Sequence, residues 1–187
     1  MAKIGTLVDN FGSTSGLWSV PGDWAVNGGQ MVGTLKGTAI SMASNGSWDL
    51  TDSSFSAQCG PFPPNGGQFV LCPTQYSNSP NSVSFLLYWT GSKTVVEARQ
   101  TVSGSATAPG TFDYDPVLHR YMRIREASGT TYWETSPEGL KWTVQRSAAT
   151  PITVTAVYVL FQAGSGSGSF PVDNVNVFPN ASSQFFA

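Results

Sequence analysis

The chain is short of charge. Of its 187 residues only nine are Lys or Arg and eleven are Asp or Glu, 11% in all, against about 25% in an ordinary soluble domain. With a formal net charge of −2 and no run of basic residues, it lacks the positive surplus that neutralises a phosphate backbone, and nucleic acid is excluded as a partner. A single histidine, His119 beside Arg120, supports no Ser/His/Asp constellation and reads as a strand-edge residue. Two cysteines without a histidine at ligand spacing support no zinc site. Long apolar runs are missing as well. Residues 83–89 and 154–161 are apolar but fall far short of the roughly 18 residues of a membrane-spanning helix, so no membrane insertion is expected. The first nine residues hold no apolar signal core and read straight into a strand, so the expectation is a product that stays in the cytoplasm or leaves it by another route.

What is present points to a folded β domain. The chain is 40% hydrophobic and 12% aromatic, with six Trp, 20 Gly and 12 Pro, a composition that rules out disorder and fits one domain with a sizeable core. The charges are unevenly spread. None lies between Asp52 and Lys93, Asp173 is the sole one after Arg146, and 13 of the 20 fall from Lys93 to Arg146.

Helical periodicity is nearly absent, while short strand signals recur between Gly, Ser, Asn and Pro clusters. The pattern predicts strands near 4–8, 24–27, 30–35, 39–42, 54–59, 67–72, 82–89, 93–102, 119–127, 130–136, 141–145, 154–162 and 170–178. So many short strands imply two packed antiparallel sheets or a barrel. Asn27-Gly28-Gly29 and Asn65-Gly66 read as hairpin turns, since both residue types tolerate positive φ. Residues 164–169, Gly-Ser repeats between two good strands, read as a mobile loop.

Residues 120–146 allow a test of register. A two-residue turn at Ser128-Gly129 sets Arg125 opposite Tyr132, Ile124 opposite Trp133 and Arg123 opposite Glu134. A turn at Glu138-Gly139 sets Thr135 opposite Trp142 and Trp133 opposite Val144. Met122, Ile124, Trp133, Trp142 and Val144 then share a core face. Tyr121, Arg123, Arg125, Tyr132 and Glu134 share the other, with an Arg123–Glu134 cross-strand ion pair. Glu97 and Arg99 have the same two-residue spacing and would extend that ladder from an adjacent strand.

Several phrases carry a resemblance: Val8-Asp9-Asn10-Phe11, Trp18, residues 24–29, residues 121–126, residues 131–142 and Val172-Asp173-Asn174-Val175-Asn176-Val177. Together they resemble domains of the concanavalin A-like lectin and glucanase fold, and they are similar to domains in minor tail proteins of phages that infect actinobacteria. The resemblance implies an all-β, two-sheet antiparallel jelly-roll sandwich with a convex and a concave sheet. It also implies a virion protein that contacts other virion proteins, and it raises cell-surface glycans as a further partner.

No catalytic residue is assigned and no enzyme is expected. Retaining glucanases need an acid/base and a nucleophile about 5–5.5 Å apart, and no strand has Glu-x-Asp-x-x-Glu spacing. Asp113 and Asp115 form the one close acidic pair and precede Pro116. They read as a solvated turn or a weak cation site, not as a catalytic dyad. Glu97 and Glu134 have arginine neighbours that suit ion pairs better than proton donation.

Three further sets of residues are singled out. With Asn65-Gly66 as the turn, Cys59 and Cys72 fall opposite each other, so a cross-strand disulfide and two buried free thiols stand as equal alternatives. Asp9 and Asp173, in the first and last strands, are a calcium candidate, set against the preferred reading in which both accept backbone N–H bonds. Trp89, Tyr76, Tyr121, Tyr132, Arg123 and Arg125 are the candidate polar-aromatic glycan surface.

The function expected is a non-enzymatic virion structural protein, a minor tail or decoration subunit, forming homo-oligomers. A carbohydrate-binding module is the alternative, and a glycoside hydrolase comes last. Residues 1–179 form the expected domain. Residues 180–187, with Phe185 and Phe186, form a tail expected to dock on a neighbouring subunit.

Overall fold

A computed structural model describes residues 1–63, 67–75, 80–164 and 166–178. Fourteen strands occur in it: β1 (Trp18–Ser19), β2 (Trp24–Asn27), β3 (Gln30–Lys36), β4 (Ile40–Ser44), β5 (Ser53–Cys59), β6 (Gln68–Thr74), β7 (Ser82–Trp89), β8 (Thr94–Val102), β9 (Ser105–Asp113), β10 (Tyr121–Ala127), β11 (Thr130–Ser136), β12 (Thr143–Ala149), β13 (Tyr158–Ala163) and β14 (Ser167–Asp173). They build two antiparallel seven-stranded sheets. Sheet I has the order β1-β4-β13-β6-β7-β8-β9, and sheet II has the order β12-β11-β10-β5-β14-β3-β2. The all-β sandwich expected from the sequence is therefore the fold.

Alternation along the strands makes the core. Phe69 and Leu71 on β6, Val83, Phe85 and Leu87 on β7, and Val159 and Phe161 on β13 point inward from sheet I. Phe55 and Ala57 on β5, Met122 and Ile124 on β10, and Phe170 and Val172 on β14 meet them from sheet II. Intervening residues face outward, as a period of two requires. Phe161 lies within ring contact of Trp18, Phe55 and Phe69, which ties both sheets to one aromatic centre.

The Ser128-Gly129 hairpin has the predicted register throughout, Arg123 opposite Glu134 and Ile124 opposite Trp133. The Asn27-Gly28-Gly29 turn is also as expected, with Asn27 opposite Gln30 and both glycines at positive φ, 61° and 79°. The next hairpin differs. A register shift at Trp133/Glu134 puts Val144 opposite Glu134 and Arg146 opposite Trp133. One residue of slip reverses the faces. Val144 is 48% exposed instead of buried, and Trp142 lies in the connection, packed on Arg123 and Phe178 outside the core.

Other expectations need correction. Residues 4–6 form a 3-10 turn, not a strand. β9 was not expected, because Ser105–Asp113 has no apolar alternation; as an edge strand it is mostly exposed and tolerates Pro109. The Gly-Ser segment is already β14 from Ser167 onward, paired with β3. Glu97 and Arg99 lie on β8 of sheet I and cannot extend the Arg123–Glu134 ladder of sheet II. The Asn65-Gly66 turn lies outside the described residues, and its flanking strands do not pair. β5 belongs to sheet II and β6 to sheet I.

Candidate functional site

The outer face of sheet I carries a trough. Its main part, about 330 Å³, is lined by residues of β4, β13, β6, β7 and β8, among them Ser41, Thr74, Ser84, Arg99 and Gln162. A second depression of about 350 Å³, with Ser47, Gln75 and Tyr158, adjoins it where Tyr158 stands opposite Thr74. Strand alternation produces this lining. On β13 the residues Val159, Phe161 and Ala163 enter the core, so Tyr158, Leu160 and Gln162 face out.

Neutral hydrogen-bonding groups dominate the trough. Gln162 Nε2 donates to Ser41 Oγ at 3.1 Å. Glu97 and Arg99 stand side by side on β8, with Arg99 Nε donating to Glu97 Oε1 at 2.6 Å. The other carboxylate that the register brings to this face, Asp113, pairs with Lys93 at 2.6 Å. Each acid thus has a cationic partner.

The predicted glycan residues are not brought together. Trp89 ends β7 with its indole packed against the core, and alternation turns its neighbour Tyr88 outward instead. Tyr121, Arg123, Arg125 and Tyr132 lie on the outer face of sheet II, on the far side of the molecule from β7. Tyr76 lies outside the described residues, as do Phe185 and Phe186. Tyr158 and Gln162 were missed, although the period-two pattern of residues 158–163 was a signal that marks them.

Sheet II holds a second polar cluster. Tyr121 and Gln58 share a 2.9 Å hydrogen bond. Glu134, 4% exposed, accepts from Arg123 Nε at 2.6 Å and from Arg125 Nη2 at 2.9 Å. Burial lowers the Arg123 pKa, whereas the hydrogen bond to Glu134 raises that of Arg125.

The two cysteines are free thiols, which corrects the disulfide alternative. Cys59 points from β5 of sheet II into the core, whereas Cys72 points from β6 of sheet I away from the core into the trough. Burial pushes both thiols up to about 12.

Asp9 bridges Val175, two residues after Asp173, and its charge acts on Asp173. The Asp9 carboxylate accepts from Phe11 N at 2.8 Å, Ser15 Oγ at 2.6 Å and Trp18 Nε1 at 2.9 Å. Asp173 accepts from Asn174 N at 2.7 Å, and burial raises its pKa. Among the described residues no group of three or more His, Cys, Asp or Glu gathers around a common point. Three donors on Asp9 fit a hydrogen-bonded strand end better than an ion site.

Comparison with solved structures gives the architecture a family of shapes. A β-glucanase from Bacillus licheniformis superposes with a TM-score of 0.65 at 13% identity, over 90% of this chain and 95% of that one. The fold is that of the concanavalin A-like jelly rolls. The carbohydrate-binding module CBM66 from Bacillus subtilis shares this jelly roll with a TM-score of 0.61 at 13% identity, over 85% and 93% of the two chains. The exoplasmic/lumenal domain of VIP36 shares it with a TM-score of 0.62 at 13% identity, over 91% and 89%. No family model and no curated protein matches the chain. No helix of this jelly roll is long and apolar enough to cross a membrane, among the described residues.

Proposed function

We propose that the chain is a non-enzymatic virion surface protein whose lectin-like jelly roll contacts a cell-surface glycan through the trough of sheet I. The observation that carries this reading is the lining itself. Five strands supply hydroxyl and amide groups beside Tyr158, no carboxylate is among the lining residues described, and the one charged group there, Arg99, is bound to Glu97. Sugars are recognised by such neutral donors and acceptors together with an aromatic face. The shared fold of CBM66 and of the VIP36 domain, whose structure is described with Man3GlcNAc bound, supports it. The virion setting rests on the sequence phrases similar to phage minor tail proteins. It is supported by the charge-poor stretches 53–92 and 147–187, since unpaired charges are costly to cover in an assembly.

A glycan array tests the binding. Wild-type protein binds at least one neutral glycan, and Tyr158→Ala or Gln162→Ala removes the signal; an array silent for the wild type overturns the reading. Release of reducing sugar from β-glucans by purified protein would instead favour a hydrolase. Antibody labelling of intact particles, together with deletion of residues 180–187 to remove Phe185 and Phe186, tests the virion role. Unlabelled particles would refute it.

A further inference from the structure

Strand β10 carries an arginine stripe on the sheet opposite the trough. Arg123 and Arg125 project from its outer face, and Arg120 stands just before it, so three of the nine basic residues lie within positions 120–125. Arg120 enters the wall of a cleft of about 450 Å³ formed with Gln30, Gln58 and four prolines. With the Gln58 amide oxygen turned toward it, Arg120 Nη2 donates at 2.9 Å and keeps further N–H groups for the cleft.

The other two arginines are held flat. The Arg123 guanidinium lies 4.1 Å from the Trp142 ring centre and that of Arg125 lies 4.0 Å from the Tyr132 ring centre. Glu134 fixes the inner edge of both. The terminal nitrogens of Arg123 have no hydrogen-bond partner among the described residues. A guanidinium stacked and clamped in this way has surrendered its rotamer freedom before any ligand arrives, so little entropy is lost when it binds.

Local charge narrows the ligand. Glu134 and the nearby Asp173 offset two of the three arginines, so binding here rests on directed hydrogen bonds to individual anionic groups more than on a strong net field. It offers instead oriented forks for separate anionic groups, beside flat aromatic and proline walls and the hydroxyls of Ser54 and Ser147, which stand opposite Arg125 and Tyr132. We infer that the outer face of sheet II is a binding site for an anionic glycan, a saccharide chain bearing carboxylates or phosphodiesters, held by Arg120, Arg123 and Arg125. This site stands whether or not the trough binds sugar.

Calorimetric titration with polygalacturonate, with a poly(glycerol phosphate) chain and with neutral dextran, at low and high NaCl, tests it. At least one polyanion binds, and its affinity falls with salt. Polygalacturonate alone identifies carboxylates, and poly(glycerol phosphate) alone identifies phosphodiesters. Arg120→Gln and Arg125→Gln each weaken that binding about tenfold. Glu134→Gln, which removes the competing charge at nearly constant shape, tightens it; if that variant does not fold, the exposed Arg120→Gln decides. Tyr158→Ala leaves the polyanion affinity unchanged, which separates this site from the trough. Absence of binding by either polyanion at low salt, or equal affinity for wild type and Arg120→Gln, overturns the inference.

Discussion

Trp133 Nε1 donates a 2.8 Å hydrogen bond to the carbonyl of Ser84 and joins the two sheets through the middle of the core. Trp133 is fully buried on β11 of sheet II, and Ser84 stands on β7 of sheet I. Trp133→Phe keeps an aromatic ring but loses the bond and opens a small cavity, at a cost of about 2–4 kcal/mol. Urea denaturation measures it. A loss below about 0.5 kcal/mol, the range of surface substitutions, would show the contact to be idle.

Gly33 is required for space. Its backbone is not left-handed, but a Cβ there would stand 2.8 Å from the Trp24 indole. Gly33→Ala therefore destabilises by about 1–3 kcal/mol through overpacking. Trp24 Nε1 is buried without a partner among the described residues, so Trp24→Phe in the Gly33→Ala background restores part of the loss. A double mutant as unstable as the sum of the single changes would contradict this.

Asn176 binds both ends of the chain to β5. Its side-chain oxygen accepts from Ser56 N at 2.8 Å, and its amide nitrogen donates to the carbonyls of Ile4 and Leu7, each at 2.9 Å. At φ 49° it also occupies a left-handed conformation that asparagine tolerates. Asn176→Asp replaces the donor with an acceptor facing two carbonyls, at a cost of about 2–4 kcal/mol. Amide hydrogen exchange accelerates at Phe11 and Ser56 if the knot opens; unchanged protection at both refutes its role.

Native protein resists alkylation. With Cys59 and Cys72 buried and their thiols pushed up to about 12, iodoacetamide at pH 8 modifies neither until denaturant is added. Intact mass before and after reduction is the same. A shift of two hydrogens on reduction would restore the disulfide.

His119 contributes an acid sensitivity. Its Nδ1 accepts from Asp115 N at 3.0 Å, and burial lowers its pKa below 6.5 against the opposing pull of Asp115. The unfolded chain therefore takes up this proton first. The stability in question is present above pH 6.5 and is lost as pH falls toward the folded-state value. NMR titration of the His119 ring gives a midpoint under 6.5; a midpoint above it would reverse the sign.

Where local pattern settles structure, the sequence was readable. The β10–β11 hairpin follows from Ser128-Gly129 and alternation alone, and every pairing predicted for it is observed. Val144 was misplaced because a single-residue shift at Trp133/Glu134 is invisible to period-two counting. Cys59 and Cys72 were set opposite each other on the premise that neighbouring strands pair, whereas β5 pairs with β10 and β14. Trp89 was grouped with Tyr121 and Tyr132 by residue type, whereas β7 lies in sheet I and β10 and β11 lie in sheet II. Aromatic side chains announce their bulk in a sequence; which sheet receives them is a long-range matter.

The topology also dictates an order of events during synthesis. β3 finds its second neighbour in β14, β4 in β13, and β5 pairs with β10 and β14. The first 60 residues are therefore made well before most of their partners exist, and their apolar faces wait for the last fifth of the chain. Such delayed closure slows folding and leaves strand edges open to wrong partners. With six charged residues among the first 60, those early segments carry little repulsion to keep nascent chains apart while they wait.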